Sequence, residues 1–151
     1  MTQVDERDLS RRHFMKGVMV GGIALGGGAV LMRSGLAKAS PAVDSLFKGR
    51  KTQSGAGKVH LKANAIAENG RVVPLTVSAD DSLNVKAVYL LIDKNPVPLA
   101  AKLNTKGASA YLSTNVRMRE TSVVRGIVEL ADGTLLETSR EVKVTIGGCG
   151  G

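Results

Sequence analysis

The chain has 151 residues, with 21 Lys+Arg against 13 Asp+Glu, a formal net charge of +8, and 43% hydrophobic and 23% charged residues. That length holds one domain at most, and the composition is that of a globular protein rather than a disordered or collagen-like one. One cysteine forbids an internal disulfide and any site built on two or four cysteines, while two histidines, His13 and His60, leave little for a metal centre.

Residues 1–39 read as an export leader. Ser10-Arg11-Arg12-His13-Phe14-Met15-Lys16 is similar to the twin-arginine signal S-R-R-x-F-L-K with Met in place of Leu, which makes Arg11 and Arg12 the export motif. An uncharged stretch follows at 17–32, and six of its 16 residues are glycine. A membrane-spanning helix needs about 20 apolar residues and tolerates glycine poorly, so this stretch suits a signal rather than an anchor. Ala37-Lys38-Ala39 supplies an A-x-A site, placing cleavage after Ala39 and the mature start at Ser40, with no membrane association afterwards.

Removing six basic and three acidic residues with the leader leaves 15 and 10, a net +5 over 112 residues. One His, one Met and one Cys remain, too few for a blue-copper site, and C-x-x-C-H haem attachment is absent. Neither a cofactor nor a metal ligand set is therefore expected. The twin-arginine route carries proteins that are already folded. With no cofactor to explain that choice, it points to a partner subunit bound before export. Nucleic-acid binding is not expected, because the basic residues neither cluster nor interleave with aromatics.

The body, 40–146, begins with a short helical pattern. Ser40 suits an N-cap, Pro41 the first helical position and Gly49 the exit, with Ala42, Val43, Leu46 and Phe47 on one face. After a small polar loop at 52–57, the period becomes two. Val59 and Leu61 alternate with His60 and Lys62, and His60 reads as a surface histidine. The run 72–77 contains Pro74, which confines it to an edge or a strand end. The run 85–92 is apolar enough to be buried on both faces. Strands at 97–103, 108–118 and 122–130 follow, then an Asp132-Gly133 hairpin turn, a strand from Thr134 and a last strand with Val142, Val144 and Ile146 alternating inward. About seven short strands predict an all-β, immunoglobulin-like antiparallel β-sandwich with a short N-terminal helix; a β-barrel is the alternative.

The chain then runs Gly147-Gly148-Cys149-Gly150-Gly151, a flexible arm at 147–151. Glycine leaves the backbone slim and free, and five residues reach at most about 17 Å at ~3.3–3.6 Å each. The thiol of Cys149 can thus leave the domain and enter a channel in another protein. No base is fixed beside it, and the nearby Gly151 carboxylate disfavours the thiolate, so Cys149 reads as a substrate-bearing handle rather than a catalyst. No residue of the chain is assigned a catalytic role. The alternative is an exported interaction module whose terminal thiol forms an intermolecular disulfide.

Val144-Thr145-Ile146-Gly147-Gly148-Cys149-Gly150-Gly151, Ala67-Glu68-Asn69-Gly70 with Val73-Pro74, Lys94-Asn95-Pro96-x-Pro98-Leu99, Ala131-Asp132-Gly133 and the twin-arginine leader together resemble the SoxY family. The resemblance extends over most of the mature chain. It implies a carrier in the periplasmic Sox thiosulfate-oxidising system, paired with SoxZ as a heterodimer, with sulfur intermediates held covalently on Cys149. It also implies transient docking with three enzymes: a c-type cytochrome that joins thiosulfate to the thiol as an S-thiosulfonate, a sulfate-releasing hydrolase and, in some organisms, a sulfane dehydrogenase. Arg117 and Arg119, with Arg125 further along and Arg140 and Lys143 near the arm, read as a solvated polar face.

Overall fold

The computed structural model describes residues 40–146; the leader, with Arg11, Arg12 and Ala39, and the arm, with Gly147, Gly148, Cys149, Gly150 and Gly151, lie outside the described residues. Helix α1 (Pro41–Phe47) is followed by nine strands: β1 (Gln53–Ser54), β2 (Val59–Ala63), β3 (Ile66–Ala67), β4 (Val73–Ala79), β5 (Val85–Ile92), β6 (Leu99–Asn104), β7 (Tyr111–Val116), β8 (Ser122–Leu130) and β9 (Leu135–Val144). Seven have five or more residues. They form two sheets, one ordered β1-β9-β8-β5-β6 with β3 also on β9, the other β2-β4-β7. This is a β-sandwich, not a barrel.

Two cores hold it together. Between the sheets lie Val73, Leu75 and Val77 of β4, Val88, Leu90 and Ile92 of β5, Val124 and Val128 of β8, and Met118. On the outer face of the larger sheet, Val43 and Phe47 of α1 cover Ala87, Tyr89 and Leu91 of β5, Ile127 of β8 and Leu135 of β9. Strand β5 is therefore covered on both sides, which explains its nearly unbroken apolar run, with Lys86 its one exposed residue. Phe47 meets the Tyr89 ring edge-on, at 5.0 Å between centroids and 80° between planes.

Of the two places the sequence leaves open for Pro74, an edge or a strand end, the structure takes the strand end: β4 is the central strand of its sheet, β2 pairs only with Leu75–Ala79, and at Pro74 the chain has β7 alone beside it. Other details differ from the sequence reading. A strand from Thr134 and another through Val142 are one continuous strand, β9, because β8 runs antiparallel to it from Glu129 to Ser122. The sheet is also not wholly antiparallel. Two-residue strands β1 and β3 add to β9 in parallel, and β1 lies inside the segment expected to be a polar loop. Ile146 does not point inward, being 64% exposed, since β9 ends at Val144 beyond the reach of β8.

Ser40 occupies the N-cap position of α1 but makes no side-chain cap bond. Its hydroxyl donates to Asp93 Oδ1 instead, at 3.1 Å. The helix exits through Lys48 (φ 53°) and Gly49 (φ 77°), and Gly49 N–H reaches back to the Asp44 carbonyl at 2.9 Å. Left-handed backbone suits glycine, which is why Gly49 stands there.

Candidate functional site: the root of the C-terminal arm

The sequence points to the segment after β9, and the structure shows how that segment is anchored. β9 ends beside residues 65–70, which bind it rung by rung. Lys143 N–H donates to the Ala65 carbonyl (2.9 Å), Thr145 N–H to the Ala67 carbonyl (3.1 Å), and Gly70 N–H to the Ile146 carbonyl (2.9 Å). The Thr145 hydroxyl donates to the Glu68 carbonyl (3.0 Å), and Val144 N–H donates to Thr121 Oγ1 (3.0 Å). Gly70 is itself fixed from the far side by Met118 N–H, 2.7 Å from its carbonyl oxygen. The backbone is thus tied on one edge through Ile146 and on the other through Val144. Three residues later comes Cys149, within about 11 Å of Ile146 at full extension.

The same end of the sandwich gathers the turns that carry the internal motifs. Asn69 Oδ1 accepts from Arg71 N–H (2.9 Å), closing the turn that presents Gly70. Asn95, between β5 and β6, clamps the β7–β8 connection: its Nδ2 donates to the Arg117 carbonyl (2.7 Å) and its Oδ1 accepts from Arg119 N–H (3.3 Å). Residues from three separate stretches thereby brace one exit point. Reading the sequence alone missed Gly70, Asn95, Thr121 and Thr145 as the parts of this brace. Gly70 and Asn95 did stand in the motifs that carried the family resemblance, and asking what those motifs do would have found them.

Charge at this end is mixed and solvated. Arg71, Lys94, Arg117, Arg119 and Lys143 are exposed, as are Glu68, Glu120 and Glu141, and Lys94 Nζ lies 3.9 Å from Glu120 Oε1. Arg117 and Arg119 follow the end of β7 rather than alternating within a strand.

Arg125 does not belong with the polar surface at all. It is 4% exposed and lies under α1. Its Nε donates to Asp93 Oδ1 (2.9 Å) and Oδ2 (3.1 Å), its Nη2 to Asp93 Oδ2 (2.9 Å), and its Nη1 to Glu137 Oε1. Thr52 Oγ1 donates to the other Glu137 oxygen at 2.7 Å. A long charged side chain in the middle of β8 finds no water there, so it is buried with its partners instead. Burial alone would lower the Arg125 pKa, but the bonds and charges of Asp93 and Glu137 outweigh it and hold the guanidinium above its usual value.

A second polar cluster sits further along the same face. Tyr89 Oη donates to Glu129 Oε2 (2.8 Å), Arg50 Nη1 to Glu129 Oε1 (3.3 Å), and Arg50 Nη2 to the Gly133 carbonyl. Burial first, then the bond to Glu129 and its charge, push the Tyr89 phenol up to about 12, against a small opposing effect of Arg50. Burial by itself would raise the Glu129 carboxyl. The donors Tyr89 and Arg50 and the charges of Lys86 and Arg50 prevail, leaving it below the usual carboxylate range.

A cleft of about 460 Å³ lies at the opposite end from the arm root, between the β4–β5 and β6–β7 turns, and is lined by residues such as Asp80, Asp81, Asn84 and Ser109. Among the described residues no group of three His, Cys, Asp or Glu is placed to hold a metal ion. His60 is on the surface, with Nε2 3.1 Å from Asp80 Oδ1.

What the fold and this brace define is a small two-sheet sandwich that fixes the start of a C-terminal extension and leaves the cysteine beyond it. The chain belongs to the SoxY family: the family model described as sulfur oxidation protein SoxY matches residues 43–149. Among solved structures it is similar to the sulfur carrier protein SoxY from Chlorobium limicola f thiosulfatophilum, with 28% identity and a TM-score of 0.59 over 68% of this chain and 88% of that one. It also matches two variant forms of superoxide reductase (neelaredoxin) from Ignicoccus hospitalis. For one of them, identity is 13% and the TM-score 0.50, covering 58% of this chain and 79% of that one. For the other, identity is 13% and the TM-score 0.50, covering 70% of this chain and 93% of that one. At that identity the likeness concerns the fold alone. No curated protein matches the chain.

Proposed function

We propose that this chain is a covalent carrier of sulfur-oxidation intermediates and that Cys149 is the attachment point. The observation that carries the reading is the extent of the family match, which runs through the whole sandwich and ends on Cys149. The brace at Ile146 supports it, because a fixed root turns the glycine-flanked residues after it into a lever of short, defined reach. The name of the Chlorobium relative, a sulfur carrier, points the same way.

The chemistry asked of Cys149 is modest. In loading, its thiol gives up a proton and a new S–S bond forms to the outer sulfur of thiosulfate, while two electrons pass to a c-type cytochrome. In unloading, water attacks the terminal sulfonate sulfur within a hydrolase; sulfate leaves and a persulfide stays on the arm. A sulfane dehydrogenase oxidises that remaining sulfur where one is present. The partner enzymes activate the sulfur; the carrier presents it. The reading places the protein in the periplasm, exported through Arg11 and Arg12, cut between Ala39 and Ser40, and bound to a SoxZ-like subunit. Strands β2, β6 and β7 each have one hydrogen-bonded neighbour among the described strands, and so offer backbone edges for such a partner.

Cys149→Ser tests the assignment. Thiosulfate-dependent oxidation in cells is expected to fall to background while the protein is exported at its normal level. Undiminished oxidation would contradict it, and a stable disulfide-linked dimer without sulfur adducts would favour the interaction-module reading.

A further inference from the structure

Among the described residues, the cluster beneath the start of α1 holds two carboxylates, Asp93 and Glu137, against the guanidinium of Arg125. Ser40 stands at its edge, 2% exposed, with Oγ 3.1 Å from Asp93 Oδ1. The Ser40 backbone nitrogen is three bonds from its own Oγ, which leaves it at most about 7 Å from Asp93 Oδ1 and, with a small rotation, within the ~4–6 Å over which an opposite charge acts strongly. In the uncut chain this nitrogen is an amide and carries no charge. Hydrolysis of the Ala39–Ser40 bond changes that: water supplies the hydroxyl to the Ala39 carbonyl and a hydrogen to the Ser40 nitrogen. At neutral pH the products are a carboxylate on the departing leader and an ammonium on Ser40.

We propose that leader removal creates a half-buried ion pair between the new α-ammonium of Ser40 and Asp93, locking α1 onto the sheet in the mature protein. The inference rests on the proposed cleavage after Ala39. The added cation balances the second carboxylate of the cluster. The groups facing it are Asp93 beyond β5, Arg125 on β8 and Glu137 on β9, with Asp44 one turn along α1 and exposed Lys94 next in the chain after Asp93. The lock has leverage on the rest of the fold, because α1 supplies Val43 and Phe47 to the core over Tyr89 and Leu91. It also sits at the end from which the arm departs, since Asp93 adjoins the Asn95 clamp on the β7–β8 connection.

The test uses exported protein purified from cells, with its first residue determined by mass spectrometry. Urea unfolding is then compared for the chain with a free Ser40 amine and the same chain acetylated there, each also as Asp93→Asn. Acetylation is expected to reduce the folded-to-unfolded ratio at least about tenfold with Asp93 present, and less than about twofold in Asp93→Asn. Equal losses in both backgrounds would overturn the pairing. Should Asp93→Asn fail to fold, labelling of the wild-type α-amine by an amine-reactive reagent decides. Reaction about tenfold slower than for an unstructured peptide beginning Ser-Pro supports the pairing, and equal rates overturn it. A first residue other than Ser40 overturns the cleavage reading instead, and the proposal with it.

Discussion

Arg125 shows how one residue changes meaning between sequence and structure. In the sequence it follows Arg117 and Arg119 and looks like a third member of a basic face; in the fold it is enclosed by Asp93 and Glu137. Removing it would leave the buried Glu137 and the half-buried Asp93 without their cation. Arg125→Ala is therefore expected to cost about 3–5 kcal/mol, read as a lowered urea midpoint. A loss under ~1 kcal/mol would show that water reaches the cluster. Tyr89 gives a second residue-scale test. Its phenol is held neutral in the folded state, to about 12, against about 10 in the unfolded chain. A raised pKa favours the protonated folded form, so this contribution is complete below pH ~10 and is lost as pH rises from about 10 to about 12. With Tyr111→Phe removing the other tyrosine, ultraviolet titration should give a phenolate midpoint near 12. A midpoint near 10 would contradict the buried bond to Glu129.

At the scale of elements, the sandwich depends on how closely β8 and β4 approach across the core. A Cβ added at Gly126 would meet the Val77 side chain at 2.9 and 3.0 Å. Val77 is β-branched and fully buried, so it has no free rotamer to retreat into. Gly126→Ala is expected to destabilise by about 1–3 kcal/mol through forced separation of the sheets, measured by thermal or urea unfolding. A neutral result would mean that the strands slide apart without cost. The elements most legible in the sequence were those with one physical demand on them. β5 reads as a buried strand because both faces are covered, and the Asp132-Gly133 turn reads as a hairpin because only glycine takes its φ of 89° easily. β1 and β3 escaped because two residues carry no periodicity, and their pairing to β9 is decided by distant chain. Pro74 left two places open because a missing donor is tolerated at an edge or a strand end, and only the pairing of distant strands decides for the strand end.

At the scale of the molecule, the sandwich gathers its ties to the end of β9 on one side. Turns at 65–72, 93–98 and 117–121 converge on one end and tie the chain down through Ile146. The cleft lined by Asp80 and Ser109 opens at the other end, away from Ile146. The family was readable in advance, because the motif around the lone cysteine carries it. That a cysteine among four glycines is a reaching thiol remains a proposal. The brace was not readable, because it joins Gly70, Asn95, Met118 and Thr121 across long stretches of chain, and each alone is an ordinary turn or loop residue. The most direct test of the carrier assignment is the intact mass of protein purified from cells oxidising thiosulfate, before and after reduction. Sulfur-oxyanion adducts are expected on Cys149, removed by reductant and missing from Cys149→Ser; an unmodified thiol throughout active oxidation would contradict the assignment.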